Sequence, residues 1–477
     1  MPISGCENAA GKSRIGIFRI SEWVGRVECV NGHFIIADDD LLTNETVFWM
    51  RDSNFEHFPA NGSLARLRER QLDRLNALLR VAQKRPFYAD RLAGLRLPLT
   101  SLEQLRQVPL LTKADLIPAS QPKPAGMFDL PMSHYTRMHQ TSGTRGWPLP
   151  VLDTQDDWRW WIRCWHYVLD VAQVTENDIA MMAFSFGPFI GFWTANDAMI
   201  DRGATCVPLG GMSSESRLKM IQDHGCTVLC CTPTYALHLV STAKSQGLDL
   251  TKNSVSRIIV AGEPGGSLPA VRNRIEQAWG AKLIDHAGAS ELGAWGFGSL
   301  DGRGLHVIES EFIAEVLDFS GDDPGGSEVA EGQIGELVLT NLGRYGGPAI
   351  RYRTGDIVRA FRNHDQPSTF LWLDGGVIGR ADDMIVVRGV NIFPSSIESI
   401  VRETSESSEY RIIVEQIDEM DQIRIELEGT AEQAAFVSQL LRDRLALRVD
   451  VAVVAEGSLP RFEAKSRRLV DQRASQG

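Results

Sequence analysis

Thr141-Ser142-Gly143-Thr144-Arg145-Gly146-Trp147-Pro148 follows a run that reads as a strand. Small hydroxyl and glycine residues in succession leave backbone N–H groups free to wrap phosphate oxygens. The Thr and Ser hydroxyls add donors, and Arg145 adds positive charge. A Walker loop is excluded, because the Gly-Lys-Ser/Thr ending is missing. A second segment, Asp285-His286-Ala287-Gly288-Ala289-Ser290-Glu291, leaves the end of the expected strand Lys282–Ile284. Ligands of an α/β sheet collect at the carboxyl ends of its strands. A carboxylate there suits Mg²⁺, which binds few protein oxygens while bridging phosphates.

Three more segments carry chemistry of the same kind. In Arg351-Tyr352-Arg353-Thr354-Gly355-Asp356 a Thr-Gly turn sets an aspartate to accept hydrogen bonds from a pair of ribose hydroxyls. Gly379 to Pro394, with Arg380, Asp382, Asp383, Arg388 and Gly389, lies where the composition shifts, as a hinge would. Leu459 to Arg468 carries Lys465, a cation able to neutralise developing charge. Each segment alone is equally an ordinary turn, a solvated corner, a charged linker or a basic tail.

The elements that must position these residues follow from hydrophobic periodicity. Ser63 is a candidate N-cap for a helix through Leu64, Leu67, Leu72, Leu75, Leu78 and Leu79. Ile179–Phe184, Cys226–Cys231, Ile258–Ala261 and Lys282–Ile284 read as buried strands. Glu215–His224 and Leu268–Trp279 read as the helices between them, so the domain is α/β with a largely parallel sheet. Beyond about residue 380, Ser395–Glu403, Tyr410–Glu415, the alternation at Ile423, Ile425 and Leu427, a helix opened by Thr430 and Gln433, and Val449–Val453 make a small α+β domain. Residues 1–60 resist typing.

Bulk properties narrow the class. Hydrophobic residues make up 43% and charged residues 23%, the profile of a globular protein. A net charge of −12 argues against a nucleic-acid surface. No apolar run approaches a bilayer span and no secretory signal is visible, so a cytoplasmic location is expected. The seven cysteines fit neither a disulfide framework nor a zinc site and read as small hydrophobes.

In their order and spacing the five segments resemble the adenylate-forming superfamily of acyl-CoA synthetases, luciferases and peptide-synthetase adenylation domains. Arg388-Gly389-Val390-Asn391-Ile392-Phe393-Pro394-Ser395, Ala261-Gly262-Glu263-Pro264 and Gly304-Leu305-His306-Val307-Ile308-Glu309 are similar to the phenylacetate–CoA ligase branch. The likeness runs from about residue 65 to the end.

The resemblance implies an AMP-binding domain over 61–381 and a small mobile C-terminal domain over 382–477, with 1–60 as an extension. It implies an ATP-dependent acid–CoA ligase: a carboxylate attacks the α-phosphorus of Mg·ATP, and a thiol then displaces AMP. Thr141, Ser142, Gly143, Thr144, Arg145 and Gly146 would cradle the β- and γ-phosphates. Glu291 would bind Mg²⁺, with Asp285, His286, Ala287, Gly288, Ala289 and Ser290 lining the adenine and adenylate site. Gly262, Glu263 and Pro264 would border the adenine, and Asp356, with Arg380 nearby, would hold the ribose. Lys465 would serve adenylation, Asp382 would be the pivot, and Arg388 and Gly389 would face the CoA channel.

An acyl pocket is expected among Phe184, Phe186, Phe189, Ile190, Gly191 and Gly288, which suits an aromatic acid of the phenylacetate, benzoate or anthranilate type; core packing is the competing reading of that stretch. ATP, Mg²⁺ and CoA are the implied cofactors, with a separate carrier-protein thiol as the alternative acceptor, homodimerisation left open, and a non-catalytic nucleotide binder as the second alternative. Ala464 replaces the family's glycine before the lysine, Phe462 a Ser or Thr, Arg145 a Lys or Thr, and Ala287 an aromatic residue. Trp158, Trp161 and Trp165 recur at helical spacing, which reads as a core stripe, and His306 as a satisfied strand histidine. No role is read for His139.

Overall fold

The computed structural model describes residues 14–20, 23–30, 33–36, 58–117, 124–141, 149–184, 186–263, 265–318, 326–381, 385–387, 390–404, 408–417, 420–445, 449–460 and 468–472. The chain forms two compact units, Met1–His57 and Phe58–Gly477. The first holds a sheet that sequence patterning did not reveal: Arg14–Ile20 pairs antiparallel with Trp23–Val30, which pairs antiparallel with His33–Ile36.

The second unit is built on a sheet with 12 strands among the described residues. One half is parallel and runs, in spatial order, Thr205–Pro208, Ile179–Met182, Val228–Cys231, Arg257–Val260 and Lys282–Ala289. Val228–Cys231 is buried at every position, the mark of a strand covered on both faces. Four of these are the expected strands, three with ends moved by one or two residues and Lys282–Ala289 running five residues further; Thr205–Pro208 was not expected. The helices Ser214–His224 and Pro269–Trp279 stand where expected and end at Gly225 and Gly280, both left-handed.

The other half is antiparallel and had no counterpart in the sequence reading: Gly293–Gly298, Gly304–Val307, Trp372–Asp374, Tyr352–Phe361, Ile334–Asn341 and Phe312–Leu317, with Gly379–Arg380 pairing beside Tyr352–Phe361. One strand belongs to both halves. Lys282–Asp285 pairs parallel with Arg257–Val260, and His286–Ala289 then pairs antiparallel with Gly293–Phe297. The segment from Asp285 is therefore not a loop at a strand end but the strand's continuation, bulged between Ala287 and Gly288.

Helix Leu64–Ala82 begins after Ser63, whose side chain makes no capping hydrogen bond. Helix Gln155–Val171 opens with a capping box, Thr154 and Asp157 each bonding the other's backbone N–H. Its tryptophans are buried, and three indoles donate to carboxylates: Trp158 to Asp197 at 2.7 Å, Trp160 to Glu311 at 2.7 Å, and Trp161 to Asp153 at 3.0 Å. Five described cysteines are free, and Cys164, Cys226, Cys230 and Cys231 among them are buried.

The C-terminal part has its own core, including Ile397, Ile412, Ile425, Val437 and Leu441. Strands Asp450–Val454, Met420–Glu428, Tyr410–Ile417 and Leu469–Asp471 lie side by side, covered by helices Pro394–Thr404 and Ala431–Leu445. Thr430 and Gln433 form the expected capping box, at 2.8 and 3.2 Å. The short strand Leu469–Asp471 adds a parallel partner to Tyr410–Ile417 that periodicity did not show. No helix among the described residues is long and apolar enough to cross a membrane.

Candidate functional site

Glu291 stands two residues beyond the bulged strand and is only 7% exposed. Tyr352, which opens strand Tyr352–Phe361, donates its hydroxyl to Glu291 Oε1 at 2.8 Å. Lys113 Nζ lies 3.8 Å from the same oxygen. Both contacts fall on Oε1, so Oε2 makes no hydrogen bond among the described residues. Burial and the adjacent Glu291 hold the Tyr352 phenol far above its ordinary pKa, so it remains a donor. Lys113 opens the short helix Lys113–Leu116, where Thr112 and Asp115 form a capping box. Leu111 N donates to Arg351 O at 2.9 Å and Arg353 N to Leu111 O at 2.8 Å, so Lys113 and Tyr352 are delivered by one paired segment.

The phosphate-loop segment returns to the same place. Thr141 N donates to Leu149 O at 3.0 Å, and Leu149 N donates to Thr141 Oγ1 at 3.1 Å, which closes the loop's neck. Ser142, Gly143, Thr144, Arg145 and Gly146 lie outside the described residues. Strand Pro150–Thr154 leaves this neck, and its buried Asp153 meets Arg344, which donates to the carbonyl of Ser290 at 2.8 Å. The neck and the segment before Glu291 are thus tied together.

Asp285 is enclosed where the two sheet halves join. Ser267 Oγ donates to its Oδ2 at 2.6 Å and its neighbour His286 N to Oδ1 at 3.0 Å. Burial pushes its carboxyl up to about 6. A Cβ on Gly266 would sit 2.3 Å from Asp285 Cγ, one on Gly298 2.8 Å from Asp285 N, and one on Gly376 2.8 Å from Ser267 Oγ. Small residues from three segments therefore leave room for this one pair.

His286 packs against the underside of the bulged strand. Its Nδ1–H donates to Gly296 O at 2.8 Å, its ring lies 4.2 Å from that of Trp165, and burial lowers its pKa to about 4. Trp165 is buried, so His286 supports the bulged strand from beneath. Glu263 accepts Thr234 N at 2.7 Å, the first turn of helix Pro233–Ser245, and burial raises its carboxyl. Gly262, at φ +92°, makes the turn before it. Pro264 lies outside the described residues.

Asp356 and Arg380 face each other across paired strands, Arg380 donating to Asp356 Oδ1 at 2.6 Å. Gly355, at φ +76°, lets the Arg380 fork approach: a Cβ there would lie 2.8 Å from Nη2. Asp356 N is held by Thr354 Oγ1 at 2.9 Å. Asp382, Arg388, Gly389, Phe462, Ala464 and Lys465 lie outside the described residues. The ends of the lysine segment are nonetheless anchored. Leu459 N donates to Glu428 at 2.7 Å, and Arg468 pairs with Glu409 and, at 3.3 Å, with Glu398.

The aromatic residues at 184–193 pack mainly on one another. Phe184 meets Phe186 at 5.5 Å and Phe192 at 5.6 Å, and Phe186 meets Trp193 at 4.7 Å. A Cβ on Gly191 would lie 1.9 Å from Phe184 Cζ, so that ring rests on the glycine. Ile190 is partly buried against the core, whereas Phe189 is 44% exposed and stands apart. A Cβ on Gly288 would lie 3.3 Å from His286 Nε2, so its bulge is backed by that imidazole. His139 is stacked on Trp158 at 5.5 Å and pushed down to about 4 by burial and by Arg344 and Arg137.

His306 is the satisfied strand histidine of the sequence reading, its Nδ1–H on Phe370 O at 3.4 Å, and Glu309 is a fully buried partner of Arg362 at 2.5 and 2.8 Å. No group of three metal-ligating side chains occurs among the described residues. Glu291 alone fits a hard cation that binds chiefly to phosphates. Lys113, Arg344 and Ser267 were not found from sequence; only the capping signature Thr112-x-x-Asp115 pointed to the Lys113 element.

Comparison with known proteins gives three findings. The pattern of the AMP-binding enzyme C-terminal domain matches residues 389–473. The chain is 30% identical over 430 residues to the phenylacetate–coenzyme A ligase of Pseudomonas putida, covering 86% of this chain and 95% of that protein. It superposes on crystal structures of 2-hydroxyisobutyryl-CoA ligase at 27% identity. The TM-score is 0.78 for the postadenylation state with the acyl-AMP bound, over 86% of this chain and 90% of that one. For the thioesterification state with CoA it is 0.64, over 87% and 91%.

Proposed function

Because the chain belongs to the phenylacetate–coenzyme A ligase family of adenylate-forming enzymes, we propose that it joins an aromatic carboxylic acid to coenzyme A at a single nucleotide site. The observation that carries this reading is Glu291: a nearly buried carboxylate with one oxygen held by Tyr352, next in sequence to Ser290, which Arg344 ties to the strand leaving the neck of the phosphate-wrapping segment. Both reactants of the first step are anionic, so catalysis is mainly positioning and charge neutralisation.

The acid's carboxylate oxygen attacks the α-phosphorus and pyrophosphate leaves, giving the acyl-adenylate. The thiol of CoA then attacks the acyl carbon, its proton is lost, and AMP leaves. Thr141 to Gly146 wrap the β- and γ-phosphates. Asp356 accepts the ribose hydroxyls, with Arg380 holding its carboxylate in register. Glu291 would hold Mg²⁺, which supplies charge neutralisation at the phosphates when bound. Lys113 adds an ammonium at the same corner, and Lys465 neutralises the reacting oxygens in the first step. Asp382 is the pivot, after which Arg388 and Gly389 face the thiol. Gly262, Glu263, Pro264 and Asp285, whose carboxylate Ser267 holds, belong to the adenine end of the site.

The higher structural likeness to a postadenylation state supports reading this arrangement as the adenylating one. The cluster Phe184, Phe186, Phe192 and Trp193 supports a flat acid, with Gly191 setting how closely Phe184 closes over it. The free cysteines support a reducing cytoplasm.

The test is mass spectrometry of reactions containing ATP, Mg²⁺, CoA and a panel of aryl and short aliphatic acids, repeated without CoA. Aryl-CoA as the product supports the proposal. Adenylate without thioester moves the acceptor to a carrier protein, and no adenylate from any acid overturns the enzymatic reading. Lys465→Ala should abolish adenylate formation yet spare thioester formation from supplied acyl-adenylate. Equal loss of both would refute the role of the lysine segment.

A further inference from the structure

Arg344 is wholly buried, and its side chain joins three stretches of chain that are far apart in sequence. Nη2 pairs with Asp153 Oδ1 at 2.8 Å, both residues being 0% exposed, and also donates to Leu152 O at 3.3 Å. Nη1 donates to Ser290 O at 2.8 Å. The guanidinium lies 5.4 Å from the Trp161 ring and 5.2 Å from the Phe128 ring, and Trp161 Nε1 shares Asp153 Oδ1 at 3.0 Å. The loop that carries Arg344 is tied to the same junction, since Gly346 N donates to Asp157 Oδ1 at 3.0 Å.

These partners are the two supports of the proposed triphosphate site. Leu152 and Asp153 belong to the strand that leaves the neck of the phosphate-wrapping loop, while Ser290 is peptide-bonded to Glu291. We propose that Arg344, clamped by Asp153, is the positioning residue that fixes the distance between the strand leaving the Thr141–Leu149 neck and Glu291. One Mg·ATP can then engage both Glu291 and the loop that the neck closes. The inference rests on the assignment of Glu291 and Thr141–Gly146 given above.

Arginine suits the task because its planar fork donates in two directions at once, whereas a lysine is a point charge. Stability alone is a poor account of the pair. Exchanging a buried ion pair for apolar residues is often neutral or stabilising. Here Asp153 Oδ2 is also buried with no hydrogen-bond partner among the described residues, a cost that a purely structural contact would shed. What the pair supplies is a fixed separation between a strand of the small two-stranded sheet and the carboxylate that follows a strand of the large one.

The test is calorimetric binding of a non-hydrolysable ATP analogue with Mg²⁺, and separately of AMP, to the full chain. Arg344→Lys is compared with the double variant Asp153→Asn/Arg344→Gln, which removes both charges and so leaves none unpaired. Partners that orient a metal ligand typically change metal affinity 10- to 100-fold, so the Mg·triphosphate affinity should fall by about 10-fold or more. AMP, which lacks the β- and γ-phosphates, should bind as before. Parallel loss of both affinities, or wild-type affinity for both in a variant with an unchanged melting temperature, overturns the proposal. If Arg344→Lys does not fold, the double variant decides by the same criteria. Glu291→Gln is the control: it should remove the Mg²⁺ dependence of analogue binding. Should that dependence survive, the metal assignment fails and the Arg344 proposal falls with it. Should it vanish while the Arg344 variants bind normally, only the positioning role is refuted.

Discussion

Two arginine–aspartate pairs flank the candidate site, and they differ in what surrounds them. Arg344 and Asp153 are shut away from water, whereas in the second pair the side chain of Arg380 is 41% exposed and that of Asp356 14%. A buried pair has lost its hydration and must keep its partner, so it behaves as a fixed strut. A half-exposed pair is screened and weakly bound, so its carboxylate can turn to a competing hydroxyl donor. The site thus combines a corner that cannot move, behind Glu291, with a polar clamp that can share its hydrogen bonds with a ribose.

That contrast can be broken first by removing one charge from each pair. Arg344→Leu leaves Asp153 uncompensated in the core, and the loss should be about 3–5 kcal/mol in denaturant unfolding. Arg380→Leu should cost no more than about 1 kcal/mol, since solvent screens that pair, while raising the KM for ATP. Equal destabilisation by the two would erase the distinction.

A second comparison uses protons at the enclosed corner. The Asp285 carboxyl is raised to about 6 by burial, above the ordinary aspartate value near 4. In this range the native state holds a proton that the unfolded chain has released. Stability therefore rises as pH falls from about 6 toward 4 and declines as pH climbs back. The difference in unfolding free energy between the protein and Asp285→Asn should follow that window, and a pH-independent difference would show the carboxyl to be solvated. The smallest effect is expected far from the site. Gln433→Ala removes one arm of the capping box and should cost about 1 kcal/mol or less, with no change in ATP affinity.

Periodicity was enough for four of the five parallel strands and for the small domain apart from Leu469–Asp471, where burial follows sequence spacing directly. Val228–Cys231 is apolar throughout, and Ile423, Ile425 and Leu427 alternate with charged residues. The antiparallel half was not legible. Its strands hold glycine, as in Gly293–Gly298, and buried charge, as in Glu315 and Glu336, which composition assigns to loops. Those carboxylates are buried only because arginines from elsewhere meet them. The site was legible as motifs but not as orientations. Neither the strand-end position of His286 nor the family resemblance at Glu263 announces that the imidazole bonds Gly296 O or that the carboxylate accepts from Thr234 N at a helix N-terminus. Lys113 and Arg344 reach the site across 178 and 54 residues of chain, to Glu291 and Ser290, and no local pattern announces such contacts.

The three glycines around Asp285 and Ser267 bear on how freely this sequence can vary. Gly266, Gly298 and Gly376 sit on separate segments, and each lacks a side chain because the same pair of atoms groups occupies its place. In a saturation mutagenesis library these positions should tolerate almost nothing, not even alanine, while Gly94, Gly187 and Gly211, with nothing within 4 Å, should accept the space of a side chain. Gly211 alone of those adds the strain of φ +78°. Alanine at 285 would take away only the carboxyl atoms that crowd Gly266 at 2.3 and 2.4 Å, whereas Gly298 would still meet the backbone N and O of residue 285 and Gly376 the Ser267 hydroxyl. Intolerance at three distant positions thus traces to one crowded point that no single side-chain truncation would clear.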